Sequence, residues 1–381
     1  MSNYISGSSS QIGARKETTF NEYAGAASVA SRGNSDPLRM TSESLSATYN
    51  KLDEGVLMAS KTTPEQDLGS VSVSGDVSTV LNPTFVRWLM EATLGEVTET
   101  TPDPVVGRME SGDAGDDAAY EERTYTLAGP ADELPSSGVE LWRGNQGFYY
   151  SGMTVSSLTI EAPSQDFVKA NISFNGTQET YIGSNASAEK INSAADLGSY
   201  KCTKAKLRNA TAGSDLLSQF VTDWDSCPAG QVYDVETSTL TIDNGIEETP
   251  ATYCSGLYAN QPGHGQRAVS LACNVPYSDN FETFRQTYYA NENPAKLALL
   301  LQFASKDNFT YYPTATPTAA ETIPAHQVFV ILPNVSISEM SANAGGNGMI
   351  DGNFTGVALS IGSTEPIKVI VRDYKSTTHN E

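Results

Sequence analysis

Hydrophobic and polar residues alternate with a period close to two along most of this chain. "PLRMTSESLSATYN" (37–50) and "LGSVSVSGDVSTVL" (68–81) follow that rhythm, which predicts strands with one buried face. The intervening "KLDEGVLMASKTTPEQD" is too long for a tight hairpin. The period then changes. In "NPTFVRWLMEATLG", Phe85, Trp88, Leu89 and Ala92 fall at i, i+3, i+4 and i+7, so a helix over 83–94 turns one face inward. Asn82 is its N-cap, Pro83 takes the first helical position, and Gly95 closes the C-terminus. Arg87 and Glu91, also four apart, lie on another face.

The segment 96–122 contains "TETTPDPVVGRMESGDAGDDAAYEE", acidic, with Gly and Pro and without periodicity, and is expected to be an exposed loop. Strands resume in "RTYTL", "GFYYSGMTVSSLTIEA" and "FVKANISFNG". Over 184–232 the composition shifts toward Lys and Ala and two cysteines appear, which reads as an insertion or decoration subdomain. The β pattern returns over 233–373, and 374–381 reads as a polar tail. At the other end, 1–36 reads as a polar arm. Its opening, "MSNYISGSSSQIG", has neither a basic nor an apolar stretch of the kind a secretory signal carries.

The pattern occurs twice. "VSSLTIEAPSQDFVKANISFNG" (155–176) and "VSISEMSANAGGNGMIDGNFTG" (335–356) have equal length and the same strand–turn–strand character. They agree at Val155/Val335, Ser156/Ser336, Ala162/Ala342, Phe174/Phe354 and Gly176/Gly356. Upstream, "VSVSGDV" (71–77) matches "VSLACNV" (269–275), and "SLSATYN" matches "STLTIDN". The helix around Phe85 has its counterpart in "DNFETFRQTYYANENP", with Phe281, Phe284, Arg285 and Tyr288, and Asn280 as its expected cap. The order strand, long loop, strand, helix, strand–turn–strand points to an internal duplication, with a first half over 37–183 and a second over 233–373. Duplicated halves can occupy quasi-equivalent places in a closed ring, and a sheet rolled from several halves loses its free edges.

Composition then narrows the chemistry. The chain has 381 residues, 18 % of them charged, and 45 acidic against 23 basic residues give a net charge of −22. Such a field repels phosphate, so sequence-specific nucleic-acid binding is disfavoured. The longest apolar run, "LALLLQF" (297–303), is too short for a membrane-spanning helix. Cys202, Cys227, Cys254 and Cys273 lack CxxC or Cys/His spacing, so zinc is not expected. Unpaired thiols are favoured over Cys202–Cys227 and Cys254–Cys273 bridges. His264, His326 and His379 accompany no GxSxG elbow, and no phosphate-binding glycine loop occurs. "SGDAGDD" (111–117) lacks EF-hand spacing and reads as a solvated acidic loop. The 18 tyrosines suit strand faces and subunit contacts. Neither an enzyme nor a cofactor or metal site is expected.

Several stretches resemble the tail tube proteins of tailed phages. "QIGARKETTF" is similar to their opening, a Lys-Glu-Thr-Thr-aromatic motif after an N-terminal arm. "SVSVSGDVSTVLNPTFVRWLMEATLG" resembles their strand, Gly, strand and Pro-x-Phe helix ending in Leu-Gly. "VETSTLTIDNGIEE" and "VFVILPNVSISEMSANAGGNGMIDGNFTGVAL" resemble a strand ending in Asn and a C-terminal hairpin with a Gly-rich turn. The resemblance implies a mainly β fold, a sandwich with flanking helices whose inner sheets join into a ring-shaped barrel. It implies a structural virion protein of a siphovirus-like, non-contractile tail, assembled in the host cytoplasm. Its subunits would stack as rings around a tape measure protein and meet tail terminator and tail-tip proteins. An acidic lumen would let DNA pass without binding. Family rings are sixfold, so a duplicated chain would build one as a trimer with pseudo-sixfold symmetry, the preferred form, while an ordinary hexamer stays open. The segment 184–232 departs from the pattern, as an outward decoration or a brace between rings. The arm and the 96–122 loop are the better candidates for ring-to-ring contact.

Two other classes compete. A surface adhesin or carbohydrate-binding β-sandwich would share the composition. An outer-membrane porin would also be rich in Gly, Tyr and Asn, but the helix over 83–94 and the Ser and Thr on both strand faces argue against it.

Overall fold

The computed structural model of the chain is mainly β, with two α-helices among the described residues. Those residues are 7–21, 36–53, 66–99, 105–108, 117–129, 132–184, 191, 199–211, 232–233, 235–247, 256–258, 260–290, 292, 294–312, 320–343 and 350–376.

One long antiparallel sheet organises the molecule. Its order is Ser46–Asp53, Gln66–Val80, Lys169–Gly176, the second part of Gln146–Pro163, Thr237–Asp243, Ala268–Pro276, Asp351–Ala358 and the second part of His326–Asn343. Met40–Glu43 also pairs with Gln66–Val80, beside Ser46–Asp53. The period-two pattern explains the burial. Val71, Val73 and Val77 point inward, as do Leu158, Ile160, Ile172, Leu240, Ile242, Val269 and Leu271. Among the described residues the pairings do not close on themselves, so 46–53 and 336–343 are free edges.

The second layer grows from the first parts of the two 18-residue strands. Residues 146–151 lie between Ser137–Arg143 and Gln178–Ser184, and Ser137–Arg143 also pairs with Gln11–Lys16. Residues 326–331 lie between Leu297–Ser305 and Lys368–Ser376. Tyr200–Thr211 and Asp117–Leu127 extend that sheet on either side.

The first helix, α1 (Pro83–Leu94), sits between the layers. The Asn82 side chain accepts from the Phe85 N–H at 2.9 Å, and Gly95 ends the helix at φ 95°, where an added Cβ would lie 2.7 Å from Ala128. Phe85, Trp88, Leu89 and Ala92 are all buried, but so are Val86, Met90, Thr93 and Leu94. The helix therefore packs on more than the one face that its spacing predicts. Phe85 stacks on Trp88 at 5.0 Å, and Trp88 meets Phe174 at 6.5 Å. The second helix, α2 (Asp279–Tyr288), buries Phe281 and Phe284, with Phe284 5.5 Å from Phe354. Its cap is Ser278, whose hydroxyl accepts from Phe281 N, and not Asn280, which lies inside the first turn.

Several expectations from sequence are corrected. The 96–122 segment is largely strand where described: Gly95–Glu99, Val105–Arg108 and Asp117–Leu127. Its charges are tolerated because cross-strand partners neutralise them, as Arg372 does for Glu122. The 1–36 arm includes the paired strand Gln11–Lys16, anchored by buried Ile12 and Ala14. The 374–381 tail begins inside Lys368–Ser376. The 184–232 stretch contains Tyr200–Thr211, held by buried Tyr200 and Leu207. The ungapped hairpin match is also shifted. The two hairpins bulge at Ser156 and Ser338, whereas the ungapped match sets Ser156 against Ser336. Cys273 is a free buried thiol, and burial raises its pKa. The side chains of Cys202, Cys227 and Cys254 lie outside the described residues.

Phe85 is fully buried between the layers. Truncation to Ala is expected to cost about 3–5 kcal/mol, visible as a lower urea midpoint with an unchanged slope.

Candidate assembly and channel-lining surface

The face of the long sheet turned away from the core is mainly polar, with Leu68, Ala268, Ala272 and Val357 as scattered apolar positions. Strand alternation places Ser72, Ser74, Asp76 and Ser78 beside Asn175, Ser173 and Asn171. Ser173 donates to Asp76 at 2.6 Å and Ser78 to Asn171 at 3.0 Å. Thr159, Thr239 and Thr241 continue the same surface. Asp76, Glu161, Asp243, Glu339 and Asp351 place acids along its width. Against them stand Lys51, exposed opposite Leu68, and Lys169, whose ammonium is tied to Asp166 at 2.6 Å. A broad face of hydroxyls, amides and excess carboxylate with only scattered apolar residues offers little to a lipid, and its field repels polyanions.

The free edge at 46–53 is guarded beside its start. Ser44 N–H bonds the Asp76 carbonyl at 2.9 Å, so by alternation the backbone of Leu45 faces outward. Its N–H donates to Glu43 at 3.0 Å, and its carbonyl accepts from Arg143 at 2.7 Å. Arg143 grips Glu43 through two 2.9 Å hydrogen bonds, and this pairing raises the guanidinium pKa. The clip thus satisfies both backbone groups that an edge residue presents.

A half-buried charge cluster around the buried Asp373 fastens α1 to the second layer. Arg87 bonds Asp373 through Nε at 2.8 Å and Glu121 through both terminal nitrogens at 3.2 Å. Asp373 also lies 2.6 Å from His326 Nδ1, and Arg123 reaches Glu121 at 2.8 Å. Burial alone would raise the Asp373 pKa, but the His326 hydrogen bond and the Arg87 charge outweigh it and hold the carboxylate below its usual range. Arg372 pairs with Glu122 and stacks over Tyr120 at 4.2 Å. At the opposite end of α1, Lys16 meets Glu91 at 2.6 Å. Glu17 is buried and accepts from Ser136 at 2.7 Å and from the Gly152 N–H at 3.0 Å.

A family model described as "Phage tail tube protein" matches residues 7–360. The chain belongs to that family. No curated protein matches it. Membership makes it a structural tail tube protein and a component of the virion tail, from a family whose members assemble into a tube. Among the described residues no helix is long and apolar enough to cross a membrane, and no cluster of three His, Cys, Asp or Glu could hold a metal ion.

Within this tube protein the residues singled out by sequence serve packing. Phe85, Trp88, Leu89 and Ala92 form the interior of α1 together with Phe174. Val155 and Val335 are buried on the two long strands, and Phe354 packs on α2. Gly176 and Gly356 admit side chains of those strands: a Cβ on Gly176 would collide with the Met153 sulfur, and one on Gly356 would lie 2.5 Å from Val335. The Lys-Glu-Thr-Thr-Phe motif places Lys16 and Glu17 in the contacts above. His379, residues 111–116 and the His264 side chain lie outside the described residues. Sequence reasoning missed the Glu43–Arg143 clip, whose members are 100 residues apart.

Arg87→Met removes the cationic partner of the buried Asp373 and leaves it only His326, and is expected to cost about 2–3 kcal/mol near neutral pH. Because the folded Asp373 pKa is depressed, its stabilisation is present above the ordinary carboxylate value near 4 and is lost as pH falls through the folded value. The gap between wild type and variant should therefore narrow below about pH 4. Urea titrations from pH 7 to 3 measure it, and a constant gap would remove Asp373 as the cause.

Proposed function

We propose that copies of this chain close into rings that stack as a hollow tail tube, with the polar acidic face of the long sheet lining the channel. That face carries the reading. It spans eight strands, has excess carboxylate, and its apolar positions, Leu68, Ala268, Ala272 and Val357, are scattered among polar ones. A duplex passing along it meets a repelling wall, so the genome is conducted and not bound.

The strand order supports an internal duplication. Gln11–Lys16, Ser46–Asp53, Gln66–Val80, α1, Ser137–Arg143, Gln146–Pro163, Lys169–Gly176 and Gln178–Ser184 form one series. Tyr200–Thr211, Thr237–Asp243, Ala268–Pro276, α2, Leu297–Ser305, His326–Asn343, Asp351–Ala358 and Lys368–Ser376 repeat it with matching neighbours. On this reading the second unit begins near residue 199, and the region around 95–127 is the addition, placed between α1 and Ser137–Arg143. Each unit gives the long sheet four strands. Three copies supply six units and about 24 strands, which at about 4.8 Å spacing and about 40° tilt close at about 48 Å between backbones. Side chains narrow that bore but leave room for a duplex. The pseudo-sixfold trimer is therefore favoured over a hexamer of the same chain. The 1–36 arm and the 96–122 segment are the proposed ring-to-ring contacts. Tape measure, terminator and tail-tip proteins are the expected partners during assembly in the host cytoplasm.

Negative-stain microscopy of the purified chain, with rotational averaging of end-on views, tests the ring. Stacked rings with threefold-modulated sixfold symmetry are expected, and strict sixfold symmetry at twice the mass would establish the hexamer. The channel assignment has its own test. Converting Glu161, Asp243 and Asp351 to Lys should leave tubes that retain duplex DNA, with a salt dependence of about 0.9 per phosphate neutralised. Tubes that gain no DNA would place that face away from the channel.

A further inference from the structure

The chain makes one junction internally whose two sides it also presents at its ends. Residues 157–163 pair antiparallel with Thr237–Asp243, Thr159 opposite Thr241 and Ile160 opposite Leu240. The ladder equivalences carry Ser157 to Glu339 and Thr159 to Ser341, since Ser156 and Ser338 are matching bulges. They likewise carry Thr241 to Ser46 and Leu240 to Leu45. Thr241 pairs with Ser270 as Ser46 pairs with Ser74, and the N-caps Ser278 and Asn82 follow those strands at equal distance.

Resting on the tube reading, we propose that successive copies join by antiparallel pairing of 339–343 with 44–48 of a second copy, Ser341 opposite Ser46, and that the Glu43–Arg143 clip on Leu45 is displaced as they join. The chemistry of the two edges fits this register. Met340 falls opposite Ala47 and Ala342 opposite Leu45, both on the core side. Glu339 faces Thr48 and Ser341 faces Ser46 on the polar side, so no like charges oppose. A slip of one residue would set Glu339 opposite a core-side residue and put the two copies' buried faces on opposite sides of the sheet, which burial forbids. The outward backbone of Leu45 corresponds to that of Leu240, which the internal junction pairs with Ile160. Its occupation by Glu43 and Arg143 marks the group that the second copy must claim.

Ser46 directs its backbone toward Gln66–Val80, so opposite Ser341 it forms a non-hydrogen-bonded pair with Cα atoms about 4.5 Å apart, within disulfide reach. A full chain carrying Ser46→Cys and Ser341→Cys, mildly oxidised at assembling concentration, should run as covalent multimers on non-reducing gels. The yield should exceed either single variant, or the off-register pair Ser46→Cys with Glu339→Cys, by at least tenfold. Microscopy of the same samples separates the two readings. Rings without that excess overturn the junction and leave the tube reading standing, whereas absence of both rings and cross-links overturns both. Arg143→Gln and Glu43→Gln should each shorten the assembly lag at least twofold. An unchanged or longer lag in both, with in-register cross-linking intact, would overturn the displacement of the clip.

Discussion

Two strands of 18 residues, Gln146–Pro163 and His326–Asn343, each belong to both layers, and the rest of the structure depends on how they manage it. At about 3.3 Å per residue each is near 60 Å long, several times the usual strand, and a straight ladder of that length cannot serve two sheets facing a common core. The first strand breaks register between Tyr150 and Met153 and again between Val155 and Ser157. Gly152 sits at the first break with φ 65°, crowded by Thr177 and Phe20 so closely that a Cβ would not fit. Its N–H turns to the Glu17 carboxylate, which explains why the acid is buried beside Gln11–Lys16. The bend opens the space that α1 fills with Phe85, Trp88 and Leu89.

Carboxylates are used in two opposed ways. On the polar face they stand in water with few cations nearby, and their value lies in the field they project. Inside, Asp373, Glu121 and Glu122 meet Arg87, Arg123 and Arg372 at hydrogen-bond distance. A buried ion pair adds little net stability over an apolar pair, because desolvation offsets the attraction, but removing one partner is severe. The cluster therefore acts chiefly on placement. Arg87 on α1 reaches Asp373 on Lys368–Ser376, so helix and distant strand can meet in one arrangement.

Helix α1 was legible because its signals are local: Asn82, Pro83, Gly95 and four apolar residues at helical spacing. The strands were legible for the same reason, since alternation survives without knowledge of the partner. What the chain conceals is pairing. Gly95–Glu99 reads as acidic loop until Arg123–Leu127 lies beside it. Gln11–Lys16 shows only Ile12 and Ala14 as evidence of a buried face. The shared Val, Ser, Phe and Gly of the two hairpins suggested a gapless match, but bulge position fixes register, and a bulge has no residue signature here beyond Ser156 and Ser338. The polar face follows from alternation once the strands are found. Which edges stay free is a property of topology, and no single stretch records it.

Free edges on a long sheet invite indiscriminate pairing, and an assembling subunit cannot simply bury them. The two edges meet this conflict differently. Beside 46–53, the outward N–H and carbonyl of Leu45 are held by Glu43 and Arg143, a polar cap that water and a rival strand must both displace. Beside 336–343, the bulge at Ser338 breaks the ladder and the exposed Glu339 sets a charge next to it. A wrong strand would have to release the clip, accommodate the bulge and face the carboxylate without return. A second copy in register places Thr48 opposite Glu339 and apolar side chains opposite each other, so the same devices that discourage other strands leave that one pairing accessible.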